Sequence, residues 1–396
     1  MQLQLPADII AALRRLECAG YAAYCVGGCV RDGLLGRQTA DYDIATAALP
    51  QQVKTVFAGC RTADTGIAHG TVTVLWRGRA LEITTFRREA AYSDGRHPDR
   101  VAFGGTIKTD LARRDFTVNA MACGADGRIL DPFGGRADLA AKQLRCVGDP
   151  AVRFKEDALR ILRAVRFVGV LGFAVEPATA AAMAAQAPGL GRISAERIGA
   201  EFVRCIAGRY ARQALQGYPA VFAQFMPPYG DFSCTDSHLP VRLALLFGSC
   251  RHPARAAQTL VLLRQPGALC RTVRFLVQNR SWPATADRRQ LRVLTHRWGS
   301  DRLQLLCRLK VQMGSPVAAR ALAVAADIQA QGDCTALSQL AVSGRDLQQV
   351  GLAPGRRLGA CLDWLLGEVM ADRLPNRRAV LLAAAQNWSA GNSGAV

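Results

Sequence analysis

The chain has 396 residues and a mass of 42.5 kDa, more than one core of roughly 100–200 residues accommodates. Half of the residues are hydrophobic, 20% are charged and the mean hydropathy is +0.08, which excludes a disordered chain. Fifty basic residues against 31 acidic ones give a net charge of +19, and 45 of the fifty are arginine, whose planar fork matches phosphate, so an anionic partner is implied. No apolar run approaches a membrane span, and the N-terminus lacks a basic start followed by an apolar signal core. The expectation is a cytoplasmic protein with no membrane partner. The thirteen cysteines are scattered without a CxxC pair, and His69, His97, His238, His252 and His296 lie far apart, so reduced thiols and no structural zinc are expected.

In chain order, the first 150 residues read as mixed α/β. The pattern predicts an amphipathic helix over 8–18, a strand over 22–26 and a helix starting around Cys29. Short β-branched or alternating runs follow as strands over 41–46, 70–76, 81–86 and 117–123. Residues 87–106 are polar, glycine-bearing and without period, which predicts a long mobile loop. From about Pro150 apolar residues recur at three- and four-residue steps, including 156–171 and 194–206, and the remainder is predicted helical. Charge follows the same division: residues 1–150 hold 19 basic and 16 acidic residues, whereas 151–396 hold 31 and 15. Within 202–300 there are 14 arginines and only Asp231, Asp236 and Asp287 as acids, the footprint of a surface that tracks phosphates.

Gly27-Gly28-Cys29-Val30-Arg31-Asp32 sits between an apolar strand and a helix, where free amides receive phosphate. A glycine pair alone is a structural turn as often as a site. Asp41 and Asp43 stand two apart in a predicted strand, so their carboxylates share a face, an arrangement that water or a hard cation such as Mg²⁺ relieves. Glu82, in the alternating strand LEITTF, is a candidate third carboxylate that helps to activate a hydroxyl, or an edge-strand surface acid. Arg113-Arg114-Asp115 opens a strand, where an arginine can clamp phosphate while Asp115 holds it, or where the charges simply cap a helix.

The run Glu156-Asp157-Ala158-Leu159-Arg160-Ile161-Leu162-Arg163-Ala164-Val165-Arg166-Phe167 repeats arginine every three residues, with aliphatic residues on the other face. Such a stripe needs anions or acid partners. Asp157 and Arg160 together match a base edge that offers an amino donor beside a ring-nitrogen acceptor, as cytosine and adenine do. Uracil and guanine present an N–H instead, and leaving buried donors opposed is costly. An ordinary amphipathic helix with solvated arginines is the alternative.

GGCVRD, DYDIAT, RRDFTVNAMA, LDPFGG, EDALRILRAVRF and ISAERIGAEF, in this order, resemble the motif set of the class II tRNA nucleotidyltransferases and their poly(A) polymerase relatives, within the polymerase β-like superfamily. The match spans nearly the whole chain, and GLAPGRRLGACLDWLLGEVMADRLPNRR resembles the tail of the bacterial CCA-adding branch. The resemblance implies an α+β fold: a nucleotidyltransferase head with a small mixed sheet over 1–149, then an all-helical neck over 150–212, body over 213–325 and tail over 326–396. It implies that Asp41 and Asp43 bind two Mg²⁺ ions, and that Gly28, Arg31 and Arg114 contact the triphosphate. Asp157 and Arg160 would form the protein template for CTP and ATP, with Arg163 and Arg166 extending nucleotide contacts. The implied reaction is addition of CCA to tRNA, with the arginine-rich helices gripping its backbone and no protein partner required. Poly(A) polymerase shares most head motifs; the family's flexible loop is present as 87–106, CC-only relatives lack a working version of it, and CC-only or A-only specialisation is the other alternative. The absence of a His-Asp dipeptide argues against an appended phosphohydrolase domain.

Overall fold

The computed structural model describes residues 2–39, 41–64, 66–90 and 100–391. The chain divides into two compact units, Met1–Met226 and Pro227–Val396.

In the first unit α1 (Ala7–Cys18) leads to β1 (Ala23–Val26), and a glycine turn leads to α2 (Gly28–Leu34). Then come β2 (Asp43–Thr46), α3 (Pro50–Val56), β3 (Thr62–Ala63) and the hairpin β4 (Thr71–Trp76) and β5 (Arg79–Thr85). The strands β6 (Arg87–Ala90) and β7 (Arg100–Phe103) form a separate antiparallel ribbon. The flanks of the predicted 87–106 loop are therefore paired strands, and residues 91–99 lie outside the described residues. Next are α4 (Ile107–Ala112), β8 (Ala122–Cys123), β9 (Ile129–Leu130), α5 (Gly135–Ala140) and β10 (Gln143–Leu144). The helical part comprises α6 (Pro150–Glu156), α7 (Leu159–Leu171), α8 (Pro177–Gln186), α9 (Ala195–Ala207) and α10 (Ala211–Gly217), with β11 (Ala174–Val175) between α7 and α8.

The main sheet has the order β3-β4-β5-β2-β1-β8-β9, with β2 and β5 parallel and the other neighbours antiparallel. Its register places Asp43, the first residue of β2, opposite Val26, the last of β1, and beside Glu82 of β5. The glycine turn and two acids thus share one end of the sheet. Val26, Ala45, Phe86, Leu111, Ala120 and Ala122 pack beneath that end as a buried cluster.

Four local predictions are corrected. The strand predicted over 117–123 is a 3₁₀ turn, Thr117–Asn119, followed by β8. Asp115 Oδ1 accepts from the Phe116 amide at 2.8 Å and from Asn119 Nδ2 at 3.1 Å, so local side-chain bonding wins over the ladder. The helix predicted over 156–171 breaks at Asp157, which has extended φ/ψ of −147° and 102° and whose Oδ1 accepts from the Leu159 amide at 3.0 Å. Asp41 precedes β2 instead of lying in it. Beyond Pro150 the chain is not wholly helical, because β11 pairs in parallel with β10.

The helix α7 ends at Gly172, in the left-handed region at φ 74°, as a glycine terminus does. It packs along α9 with almost no gap: a Cβ at Gly169 would lie 2.9 Å from Cys205 Sγ.

The second unit is helical throughout its described residues. Helices Arg288–Trp298, Ser300–Gln312 and Ala318–Ala330 enclose a core of Leu291, Leu303, Cys307, Ala321, Ala325 and Ile328. Helices Arg356–Met370 and Arg378–Gly391 enclose a second one around Cys361, Leu365 and Leu381. Arginines join the two. Arg292 bonds Asp333 and Asp372, each at 2.5 Å, and Arg288 bonds Asp333 at 2.7 Å and also pairs with Asp327.

Burial opposes ionisation of Asp333, but hydrogen bonds from Arg288 and Arg292 outweigh it and hold the carboxyl below the usual range. Stability from a depressed carboxylate is present above its unfolded pKa, about 4, and is lost as pH falls toward the folded value. Asp333→Asn is expected to cost about 1 kcal/mol at pH 7, because the arginines stay partly screened by solvent. Thermal melts followed by tryptophan fluorescence read this unit, which holds Trp282, Trp298, Trp364 and Trp388. The difference from wild type should shrink below about pH 4.

Candidate active site

A cleft of about 670 Å³ lies between the end of the sheet and the α7–α9 layer of the first unit. Eight of the ten residues singled out from the sequence line it: Gly28, Arg31, Asp43, Arg114, Asp157, Arg160, Arg163 and Arg166. Asp41 and Glu82 do not line it; both are exposed, and both act electrostatically on Asp43. Gly27, His69, Arg87, Arg113, Asp115, Asn119, Leu159, Phe167 and Arg197 complete the walls.

The floor comes from the β1–α2 turn. Gly27 has φ 77°, a conformation that favours glycine, and a Cβ there would sit 2.8 Å from Arg114 Nη1 and displace that guanidinium. Arg31, in α2, is locked on three sides. It grips Asp32 in a fork at 2.9 and 2.8 Å, Nη1 donates to Asn119 Oδ1 at 2.6 Å, and the guanidinium lies 5.1 Å from the Phe167 ring centre.

Asp43 is accessible to solvent yet enclosed by the cleft. This desolvation raises its pKa above the ordinary carboxylate range, the Glu82 charge raises it further, Arg114 partly offsets both, and Asp41 adds to the rise. These acids repel one another, and hard oxygen donors in that state suit a divalent cation. Among the described residues, no three His, Cys, Asp or Glu side chains form a metal cluster by themselves, so ligand oxygens from a bound nucleotide would have to complete the coordination.

The arginine pairings differ from the sequence expectation. Asp115 does not hold Arg113 or Arg114. Asp110, one turn earlier in α4, does, at 2.9 Å to Arg113 and 3.4 Å to Arg114. Asp115 instead faces Arg163, whose Nη2 and Nε donate to Oδ2 at 2.6 and 2.8 Å. Burial opposes ionisation of Asp115, but Arg163, Asn119 and the Phe116 amide outweigh it and hold the carboxyl at about 2.

Along α7 every arginine has an acid partner, of which Asp115 and Glu201 are buried. Arg160 Nη1 donates to Glu156 at 2.6 Å, Arg163 to Asp115, and Arg166 pairs with Glu201 of α9. Phe167 lies among three guanidiniums, with Arg166 at 4.0 Å and Arg163 at 6.0 Å from its ring centre besides Arg31. Asp157 pairs with Arg197 of α9 at 2.7 Å and not with Arg160. Sequence reasoning assigned no role to Glu156, Asp110, Asn119, Phe167, Arg197 or Glu201. Glu156 at i−4 from Arg160, and Asp110 at i−3 and i−4 from Arg113 and Arg114, were the signals a helical spacing offered.

Comparison with known proteins identifies the family. Residues 23–145 match the Poly A polymerase head domain, 172–217 the RNA and SrmB-binding site of polymerase A, and 243–385 the tRNA nucleotidyltransferase domain 2. A CCA-adding enzyme of Levilactobacillus brevis is 37% identical over 97% of this chain and 99% of its own length. The chain belongs to the CCA-adding enzyme family. Another member, from Lacticaseibacillus paracasei, is 39% identical over 96% of both chains. The crystal structure of the Bacillus stearothermophilus CCA-adding enzyme in complex with CTP is 30% identical, covers 98% of both chains and superposes with a TM-score of 0.80. Among the described residues no helix is long and apolar enough to cross a membrane.

Asp115→Asn removes the charge that holds Arg163 while keeping an acceptor for Asn119. It is expected to destabilise the first unit by about 2 kcal/mol at pH 7, below the roughly 3–5 kcal/mol of a fully buried pair because Arg163 is partly exposed. Because the folded pKa is depressed, the difference from wild type is full above about pH 4 and fades toward pH 2, which urea titrations at successive pH values measure.

Proposed function

We propose that this chain adds CCA to the 3′ end of tRNA from CTP and ATP, without a nucleic-acid template and with release of pyrophosphate. The observation that carries this reading is the meeting, in one cleft, of the Gly27–Gly28 turn, Asp43 and the Asp157 and Arg160 side chains. A phosphate-binding turn, an acid at the sheet end and an acceptor and a donor for a base edge are the three parts such a reaction needs.

The triphosphate lies along the glycine turn, where amides at the start of α2, Arg31 and Arg114 face it. Arg114 Nε is buried without an acceptor among the described residues, the mark of a guanidinium that awaits an anion. Asp157 accepts from the exocyclic amino group of cytosine or adenine, and Arg160 donates to the neighbouring ring nitrogen. Arg163 and Arg166, held by Asp115 and Glu201, keep the wall positive around the sugar and phosphates.

Nucleotidyl transfer in this family is metal-dependent. Asp41 and Asp43 are the residues that would hold two Mg²⁺ ions, which neutralise charge developing on the attacking and leaving oxygens. Glu82, in register with Asp43, would take up the proton of the 3′-hydroxyl. The new bond joins the 3′-oxygen to the α-phosphorus, and the bond to pyrophosphate breaks. The four-part division into head, neck, body and tail follows from the same reading, with the arginine-rich helices binding the tRNA backbone by shape.

Product length tests the reading. Purified protein is given Mg²⁺ and tRNAs lacking CCA, CA or A, with CTP and ATP. Three, two and one additions are expected; unlimited adenylate tails would overturn the reading in favour of poly(A) synthesis, and arrest after two cytidines would restrict it to CC addition. Asp41→Ala and Asp43→Ala should each lower the rate at least a hundredfold, while Arg160→Ala should blur selection among the four nucleotides.

A further inference from the structure

An acid reads a base edge faithfully only when its charge and its oxygens are both held. Two contacts hold Asp157. The Leu159 amide donates to Oδ1 at 3.0 Å, which follows from the chain turning into α7. Arg197 Nη2 donates to Oδ2 at 2.7 Å, and this contact comes from a different helix, forty residues on.

Arg197 lines the same cleft, and its Nη1 is buried without an acceptor among the described residues. An arginine retained for packing alone would satisfy its donors, because an orphaned buried donor is costly. One turn along α9, Glu201 binds Arg166, so α9 presents an arginine to the acid and an acid to an arginine.

We infer that Arg197 is a positioning residue for base selection. It keeps the Asp157 carboxylate turned so that its oxygens accept toward the base, which admits the amino groups of cytosine and adenine and opposes the carbonyl oxygens of uracil and guanine. Without Arg197, Asp157 keeps only one backbone amide. It is then free to rotate, its oxygens are no longer fixed against the amino group, and the distinction between an amino group and a carbonyl weakens. The inference rests on Asp157 reading the base, as proposed above.

The test is single-nucleotide incorporation on tRNA lacking CCA, comparing CTP, UTP and the triphosphate of pyrimidin-2-one riboside, which has hydrogen in place of the amino group. The variants are R197M, R197K, R197Q and D157A, with circular dichroism as the check of folding. In R197M the preference for CTP over UTP, as the ratio of kcat/KM values, is expected to fall at least tenfold, chiefly through a raised KM for CTP. The preference for CTP over pyrimidin-2-one should fall with it. R197K should restore part of both preferences, and inhibition by pyrophosphate should stay within twofold of wild type. If R197M does not fold, R197Q reads the same ratios. Equal losses for CTP and UTP, or an unchanged ratio, would overturn the inference. D157A separates the two levels: a collapsed ratio in D157A with an unchanged one in R197M rejects Arg197 alone, whereas an unchanged ratio in D157A rejects the base-reading role of Asp157 itself.

Discussion

Eight guanidiniums face one cleft, and everything else in the first unit accommodates that fact. Two such charges about 6 Å apart repel by roughly 3 kcal/mol at an effective dielectric of 20, more than an exposed ion pair typically returns. The structure resolves this with acids placed behind or beside the arginines: Asp32, Asp110, Asp115, Glu156 and Glu201. Repulsion within the wall is cancelled locally while the face toward the cleft stays cationic. Because several of these pairs join separate elements, the same contacts tie α7 to the head segment and to α9. Charge balance and architecture are one solution, and a polyanion such as a nucleoside triphosphate meets donors that are already oriented.

A second constraint is register. β2 runs antiparallel to β1 and parallel to β5, so its first residue lies at once beside the end of β1 and beside Glu82. A slip of one residue would turn Asp43 to the opposite face and separate it from the glycine turn. The acid that gains most from a cation is thus placed by backbone hydrogen bonds. The repulsion it meets there, from Glu82 and Asp41, is partly offset by Arg114.

Much of the site was legible before any coordinates. Paired glycines at a strand end, two aspartates two apart and an arginine stripe each point to phosphate or metal by elementary chemistry. The pairings were not legible. Asp115 lies next to Arg114 in the chain and was expected to hold it, yet the turn at Phe116 points its carboxylate at Arg163. Asp157 was read as a member of the same helix as Arg160, yet its own bond to the Leu159 amide breaks that helix and frees its other oxygen for Arg197. Phe167 reads as one more aliphatic-face residue, although its ring is the surface around which three guanidiniums gather.

Local pattern determined the class of the fold, the order of the head and the helical segments, and the kinds of residue available for chemistry. Those features depend on neighbours within a few positions, where periodicity and turn preference act. Tertiary structure alone decided which acid answers which arginine, which of the candidate residues face the cleft, and that Arg197 reaches Asp157. The pairings of Arg166 with Glu201, Arg197 with Asp157 and Arg163 with Asp115 join residues 35 to 48 positions apart, and electrostatic interaction over such separations depends on distance and burial, which no spacing in a sequence encodes.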